Sequence, residues 1–316
     1  MNNSSQQESK TSSAPEQTGD QTAEQAGDPT GDQTGQAQHP TPPDIQANAR
    51  FSDFELPDGL RQAISELGFT SCTPIQTEIL PSTLAGRDAF GRAQTGTGKT
   101  AAFLISIITH LLSRPIKGER NPGTPRVLIL APTRELVMQV TDEARQLAAH
   151  CDLNIIPIFG GMDFKAQQSQ LKSRPVDIIV GTPGRLLDFS RRRVLRLKNV
   201  EILVIDEADR MLDMGFIPDV RKIIYATPQK GSRQTLLFSA TLTEAITRLA
   251  ASWTRDPVHV AIEPEQVAVD SVEQLVYIVT SQDKFALLYN IIVQQDLSRV
   301  LVFCNRKDWV KKLADR

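Results

Sequence analysis

Eight residues, Ala93-Gln94-Thr95-Gly96-Thr97-Gly98-Lys99-Thr100, run straight into the largely apolar stretch 101–108 and constrain this chain more than any other segment. Two glycines one residue apart let the backbone curl tightly. Successive N–H groups then face a common centre where an anion sits. A helix that starts at the end of the curl adds its positive end. Lys99 is placed to reach the outer phosphates of a nucleotide, and the Thr100 hydroxyl to ligate Mg²⁺. The bland alternative is a Gly-rich turn before a helix; Gly-Lys-Thr at this spacing argues for the phosphate loop. Such a loop belongs between a strand and a helix of an α/β sheet, where ligands gather at the carboxyl ends of the strands.

The rest of the chain fits that architecture. Short apolar runs predict strands at Val127–Ala131, Asn154–Phe159, Asp177–Val180, Ile202–Asp206 and Thr235–Ser239. Between them the spacing predicts helices over Thr100–Ser113, Arg134–Ala149, Phe164–Lys172, Gly184–Arg192, Phe216–Ala226 and Glu244–Ser252. Leu60, Ile64 and Leu67 predict an earlier helix stopped by Gly68. Strand–helix alternation with apolar strands implies a parallel sheet covered on both faces. This unit spans 51–262, a linker is expected at 263–270, and a second α/β pattern occupies 271–316, with strands at Val272–Val279 and Arg299–Phe303. That last piece, about 50 residues, is short of the usual domain of roughly 100–150, so the chain is expected to be a fragment with an incomplete second domain.

Residues 1–50 differ in kind. They hold seven acids, two bases and no aromatic, so their net −5 leaves +3 for the rest of a chain of net charge −2. A segment this polar buries too little apolar surface to offset its ordering entropy and is expected to be a disordered, low-complexity tail. No apolar run approaches the roughly 20 residues of a membrane span, and the first residues lack the apolar core of a secretory signal. Cys72, Cys151 and Cys304 stand far apart without zinc spacing. They are read as free thiols of a reducing, cytoplasmic compartment.

A phosphate loop needs a carboxylate near the metal. Asp206-Glu207-Ala208-Asp209 follows the apolar run Ile202–Ile205 and supplies one. Asp206 is the candidate Mg²⁺ ligand; Glu207, one residue on, is the candidate base for an attacking water. Alone, the tetrad is equally a helix cap or solvated turn.

Read in one-letter code the tetrad is DEAD, and the chain from Phe51 to Arg316 resembles the DEAD-box RNA helicases of superfamily 2, most of all bacterial members linked to RNA turnover. Gly68-Phe69 with Pro74-Ile75-Gln76 resembles the family's Q motif. The resemblance implies that the Gln76 amide reads adenine, that Phe51 upstream packs on the base, and that ATP with Mg²⁺ is the cofactor. Ala93–Thr100 matches the family's form of the phosphate loop. Ser239-Ala240-Thr241 is similar to the motif coupling hydrolysis to duplex opening, and Leu301–Arg306 to the first motif of the second helicase domain. Pro132-Thr133-Arg134-Glu135-Leu136, Gly160-Gly161 and Thr182-Pro183-Gly184-Arg185 resemble RNA-backbone contacts, with Pro132, Thr133 and Arg134 the candidates of the first. Arg, Thr hydroxyls and Gly-exposed N–H groups suit phosphates and sugars, although Thr-Pro-Gly-Arg is equally a turn entering a helix. Arg191-Arg192-Arg193 with Arg196 either extends an RNA-binding face or is a basic helix end.

The resemblance implies two RecA-like domains joined by a linker, with RNA and RNA-degradation or ribosome-assembly proteins as partners. The family's arginine-finger motif would lie past Arg316, which implies a chain that holds ATP but fails as a motor. Two rivals stay open: a nucleic-acid motor acting on DNA, and an ATP- or RNA-binding module without turnover.

Overall fold

Seven short parallel strands form one sheet in the computed structural model, which describes residues 49–94, 96–116, 118–262, 273 and 275–315. Of the tail expected at 1–50, residues 1–48 lie outside the described residues, as do Thr95 of the phosphate loop and the linker 263–270. Its last two residues are folded instead, Ala49 buried in the core and Arg50 bridged to Ser71, because the Cys72 N–H donates to the Ala49 carbonyl at 2.8 Å.

In chain order the elements are α1 (Asp58–Glu66), α2 (Pro74–Leu84), β1 (Ala89–Arg92), α3 (Lys99–Ser113), β2 (Val127–Leu130), α4 (Arg134–Leu147), β3 (Ile155–Ile158), α5 (Phe164–Ser173), β4 (Ile178–Gly181), α6 (Pro183–Arg191), β5 (Ile202–Ile205), α7 (Ala208–Asp213), α8 (Ile217–Ala226), β6 (Gln234–Ser239), α9 (Glu244–Trp253), β7 (Val258–Ala261), α10 (Lys284–Gln294) and α11 (Lys307–Ala314). The strands lie in the order β3-β4-β2-β5-β6-β1-β7. Side chains alternate along each strand. Val127 and Ile129 therefore enter one core with α2, α3 and α4, while Leu128 and Leu130 enter the other with α6, α8 and α9. Both faces are covered, as an all-parallel sheet requires.

The five expected strands and six expected helices of this unit are present within a residue or two. Gly68 closes α1 at φ +73°. Two strands and two helices had no adequate sequence signal. The β1 segment is Ala-Phe-Gly-Arg, too short and mixed to stand out. It is a strand because β6 and β7 flank it. Gly91 belongs there because a Cβ would sit 2.7 Å from the Phe238 ring. Helix α2 carries Pro81 inside it and buries Thr77, Ser82 and Thr83 alongside its apolar residues, which blurs its period. Thr83 finds its partner in Ser106 of α3, oxygen to oxygen 2.7 Å.

The segment past the linker departs from expectation. Helices α10 and α11 are present, but neither Leu275–Val279 nor Arg299–Phe303 is a strand. A strand exists only as part of a ladder, and these segments pair with no neighbour among the described residues. Their apolar side chains are open to solvent, Ile278 at 99% and Phe303 at 87% exposed. Cys304 accordingly is only half-buried.

Candidate nucleotide and RNA site

Because every strand runs the same way, every residue just past a strand's carboxyl end lies at one end of the sheet. The phosphate loop follows β1, Asp206 follows β5 and Ser239 ends β6. Pro132–Arg134 follow β2, Gly160–Gly161 follow β3, and Thr182–Arg185 follow β4. The strand order sorts them. Nucleotide candidates occupy the β5-β6-β1 half and RNA candidates the β3-β4-β2 half.

In the first half, Gly96, Gly98, Lys99, Thr100, Asp206 and Glu207 line one cavity of about 200 Å³. Gly96 and Gly98 have φ +86° and +91°, left-handed values at which a Cβ is strained. Gly98 is constrained twice, since its Cβ would also lie 2.6 Å from Gln76 Nε2 and 2.8 Å from Thr73 Oγ1. Lys99 is buried and its Nζ donates to the Ala93 carbonyl at 2.6 Å, curling back over the loop. Asp206 is buried; its Oδ1 accepts from the Glu207 N–H at 3.0 Å. Burial pushes the Asp206 carboxyl up to about 6, with Lys99 opposing and Glu207 and Asp209 adding to the rise. Glu207 holds φ +51°, a conformation uncommon for a non-glycine residue and typical of functional turns. Its carboxylate lies 3.9 Å from Arg210.

Three residues of α4 close the same cavity: Leu136, read from the sequence as part of an RNA-contact motif, and Gln139 and Glu143, which sequence reasoning missed. Burial, then the charge of Asp206, pushes the Glu143 carboxyl up to about 7. Three carboxylates thus face one ammonium, an imbalance that suits a divalent cation. No cluster of three metal-ligating side chains is preformed among the described residues. A Mg²⁺ ion keeps several waters and is held by one or two protein groups plus substrate phosphates. Thr100 and Asp206 would hold it.

The Q-motif residues divide. Gln76 is buried; its Oε1 accepts from the Thr73 N–H at 2.9 Å and its Nε2 donates to the Gly98 carbonyl at 3.1 Å. It therefore clasps the phosphate loop to the start of α2. A primary amide has two donors and two acceptor lone pairs, so one of each remains for a base edge. Phe51 is buried beneath Phe69, ring centroids 6.3 Å apart, and of the two only Phe69 keeps an exposed face. The pair lines a separate groove with Thr70 and Ser71. Gly98→Ala is expected to displace this clasp and weaken nucleotide binding at least tenfold, read by titration of a fluorescent ATP analogue with Mg²⁺. Backbone strain of this kind costs about 1–3 kcal/mol.

The tetrad reaches further than its first two acids. Asp209 Oδ2 accepts from the backbone N–H groups of Ala240 (3.1 Å) and Thr241 (3.0 Å). Ser239 Oγ donates to the Thr241 carbonyl at 2.9 Å. The carboxylate-rich turn and the Ser239–Thr241 turn are one hydrogen-bonded unit.

The RNA candidates also meet. Arg134 lies over the Phe159 ring at 5.1 Å, and a Cβ on Gly161 would come 3.8 Å from its Nη1. Both terminal nitrogens of Arg185 donate to the Met162 carbonyl at 3.2 Å. Thr133 caps α4, accepting from the Leu136 N–H at 3.2 Å. Pro132 and Pro183 are buried, so these two shape the loops and do not face a ligand. The starts of α4, α5 and α6 turn their positive ends toward the same loops.

A parallel sheet with a phosphate loop after one strand and an acid pair after another defines a RecA-like nucleotide-binding domain. A family model described as DEAD/DEAH box helicase matches residues 73–249. The ATP-dependent RNA helicase RhlB of Pseudomonas aeruginosa is 58% identical over 271 residues, covering 86% of this chain and 68% of the relative. The protein of the same name from Xanthomonas axonopodis is 42% identical over 265 residues, covering 84% of this chain and 46% of that one. A DEAD box protein from Methanococcus jannaschii superposes with TM-score 0.61 at 35% identity, covering 84% of this chain and 69% of that chain. The chain belongs to the DEAD/DEAH box helicase family.

Proposed function

We propose that this protein is an ATP-dependent RNA helicase of the DEAD-box type, in which ATP hydrolysis drives local separation of a short RNA duplex. Residues 51–262 form the ATP-binding domain, 263–270 the linker and 271–316 the start of a second RecA-like domain. The observation that carries the reading is the Asp209 link: the turn that holds Asp206 and Glu207 is hydrogen-bonded to the backbone of Ala240 and Thr241. A change at the phosphates has a path out of the nucleotide cavity.

Bound Mg²⁺ would supply positive charge to the phosphates. Lys99 and the N–H groups of the phosphate loop hold the same phosphates from the other side. Gln76 orients the loop and meets the adenine edge, and Phe69, backed by the buried Phe51, offers its exposed face to the base. Glu207 takes the proton of the attacking water. Arg134, Gly161, Thr182 and Arg185 hold the RNA backbone. No helix among the described residues is long and apolar enough to cross a membrane. The three free thiols support a reducing, cytoplasmic setting, and the resemblance to RNA-turnover members supports RNA-degradation or ribosome-assembly proteins as partners.

The test is ATP turnover with RNA or with DNA of equal length, alongside unwinding of a short RNA duplex. RNA-selective stimulation and unwinding are expected where the second helicase domain is complete. Equal stimulation by DNA would favour a DNA motor, and the absence of single-turnover hydrolysis a pure binding module. Asp209→Ala is expected to leave nucleotide affinity nearly unchanged while RNA stimulation of turnover falls. Unchanged stimulation would remove the proposed path.

A further inference from the structure

At the opposite end of the sheet, Tyr225 near the end of α8 is 87% exposed. It stands between two grooves, of about 540 and 790 Å³, which share Tyr225, Thr227 and Pro228. Arg221 and Lys230 line the first groove; Arg193, Arg196 and Lys198 line the second. Neither groove is lined by an Asp or Glu. These residues lead into β5 and β6 at their amino ends, away from the phosphate loop and from the loops of Arg134 and Arg185.

Four of the cations here are also unspent, whereas Lys230 donates to the Ala251 carbonyl at 3.3 Å. Elsewhere on the surface, arginines pair with acids one turn away, as in Arg192–Asp188 and Arg248–Glu244. The side chains of Arg193, Arg196, Lys198 and Arg221 have no hydrogen-bond or ion-pair partner among the described residues, and all four are exposed. Arg193 keeps its cation at φ +57°, a turn position where glycine or asparagine is the ordinary choice.

We propose that this surface is a second RNA site that takes a single strand, Tyr225 stacking on a base while the flanking cations contact phosphates on either side. An aromatic face between two basic grooves matches the base–phosphate alternation of a single strand and tolerates any sequence. An acidic peptide would use the cations but leave the ring face without a partner. The site would hold single-stranded RNA on the side of the domain away from the helicase site, independently of ATP.

Fluorescence anisotropy of labelled oligouridylate, with no nucleotide present, tests this directly. Tyr225→Ala is expected to weaken binding at least 5-fold, as loss of base–aromatic stacking does, and Tyr225→Phe to restore it. Arg193→Glu with Arg196→Glu is expected to lower the slope of log affinity against log salt by about 1.4, two phosphate contacts on a single strand. Tyr225 is exposed, so the fold tolerates its replacement, and ATP turnover at saturating RNA stays at the unaltered level. Unchanged affinity and slope in these variants would overturn the proposal. So would competition by polyglutamate as effective as by unlabelled RNA, which would make this an acidic-protein site. Arg134→Ala with Arg185→Ala, measured with an ATP analogue, reports on the helicase site alone, so failure of either reading is distinguishable from failure of the other.

Discussion

Glu207→Gln lowers RNA-stimulated ATP hydrolysis by about 10²–10⁴, the usual contribution of a positioned general base, and leaves nucleotide affinity within a few-fold of the unaltered protein. Glutamine keeps the size of the side chain and its capacity to hydrogen-bond, but cannot accept the water's proton. The cavity tolerates the exchange, because it removes one of three carboxylates that face Lys99. The left-handed backbone at Glu207 is equally available to Gln. Rapid-quench hydrolysis and fluorescent-nucleotide titration on the same preparation separate the two effects. A variant that lost affinity as much as rate would assign Glu207 to binding, and the water-activating role would fall.

Arg126→Met destabilises the domain by about 2 kcal/mol, less than the roughly 3–5 kcal/mol of breaking a fully buried ion pair because Glu201 is only partly buried. The Arg126 guanidinium is buried and donates to both Glu201 carboxylate oxygens at 2.6 and 2.8 Å, and to the carbonyls of Leu111 and Arg114. His110 meets Glu201 at 2.8 Å. One arginine thus ties the end of α3 to the starts of β2 and β5. Burial alone would raise the Glu201 carboxyl, but the hydrogen bonds from His110 and Arg126 outweigh it and hold it down to about 2. The sign follows. A carboxylate whose acidity is strengthened by folding contributes stability above its ordinary range near 4.5, and loses it as pH falls from there toward 2. Denaturant melts of Glu201→Gln against the unaltered protein are expected to differ by a constant amount above about pH 5 and to converge in acid. A difference that grew on acidification would contradict the assignment.

The glycine turn into α3 was legible because its signal is local: two glycines, a lysine and a threonine at fixed spacing, ahead of an apolar helix. The same holds for Asp206 and Glu207, which follow an apolar strand directly. Strands β2 to β6 were legible because apolar β-branched runs in a sheet covered on both faces have no polar side to dilute the signal. Strand β1 was not, for its Ala-Phe-Gly-Arg becomes a strand only between β6 and β7. The converse failure occurred at Leu275–Val279 and Arg299–Phe303, where strand-like composition finds no partner strand among the described residues.

The site divides along the same line. The sequence by itself singled out the residues proposed for the phosphate and acid chemistry, since such proposals depend on residue type and short spacing. Tertiary structure alone decided that Glu143 faces Asp206 from α4, and that Asp209 holds the Ala240–Thr241 backbone. It also turned Gln76 back onto Gly98 and left the Tyr225 surface without an acid beside it. Each of these joins residues 22 or more positions apart, through elements whose adjacency is fixed by strand order. A local pattern records what a residue can do; which residues it meets is set by long-range packing that no short window of sequence contains.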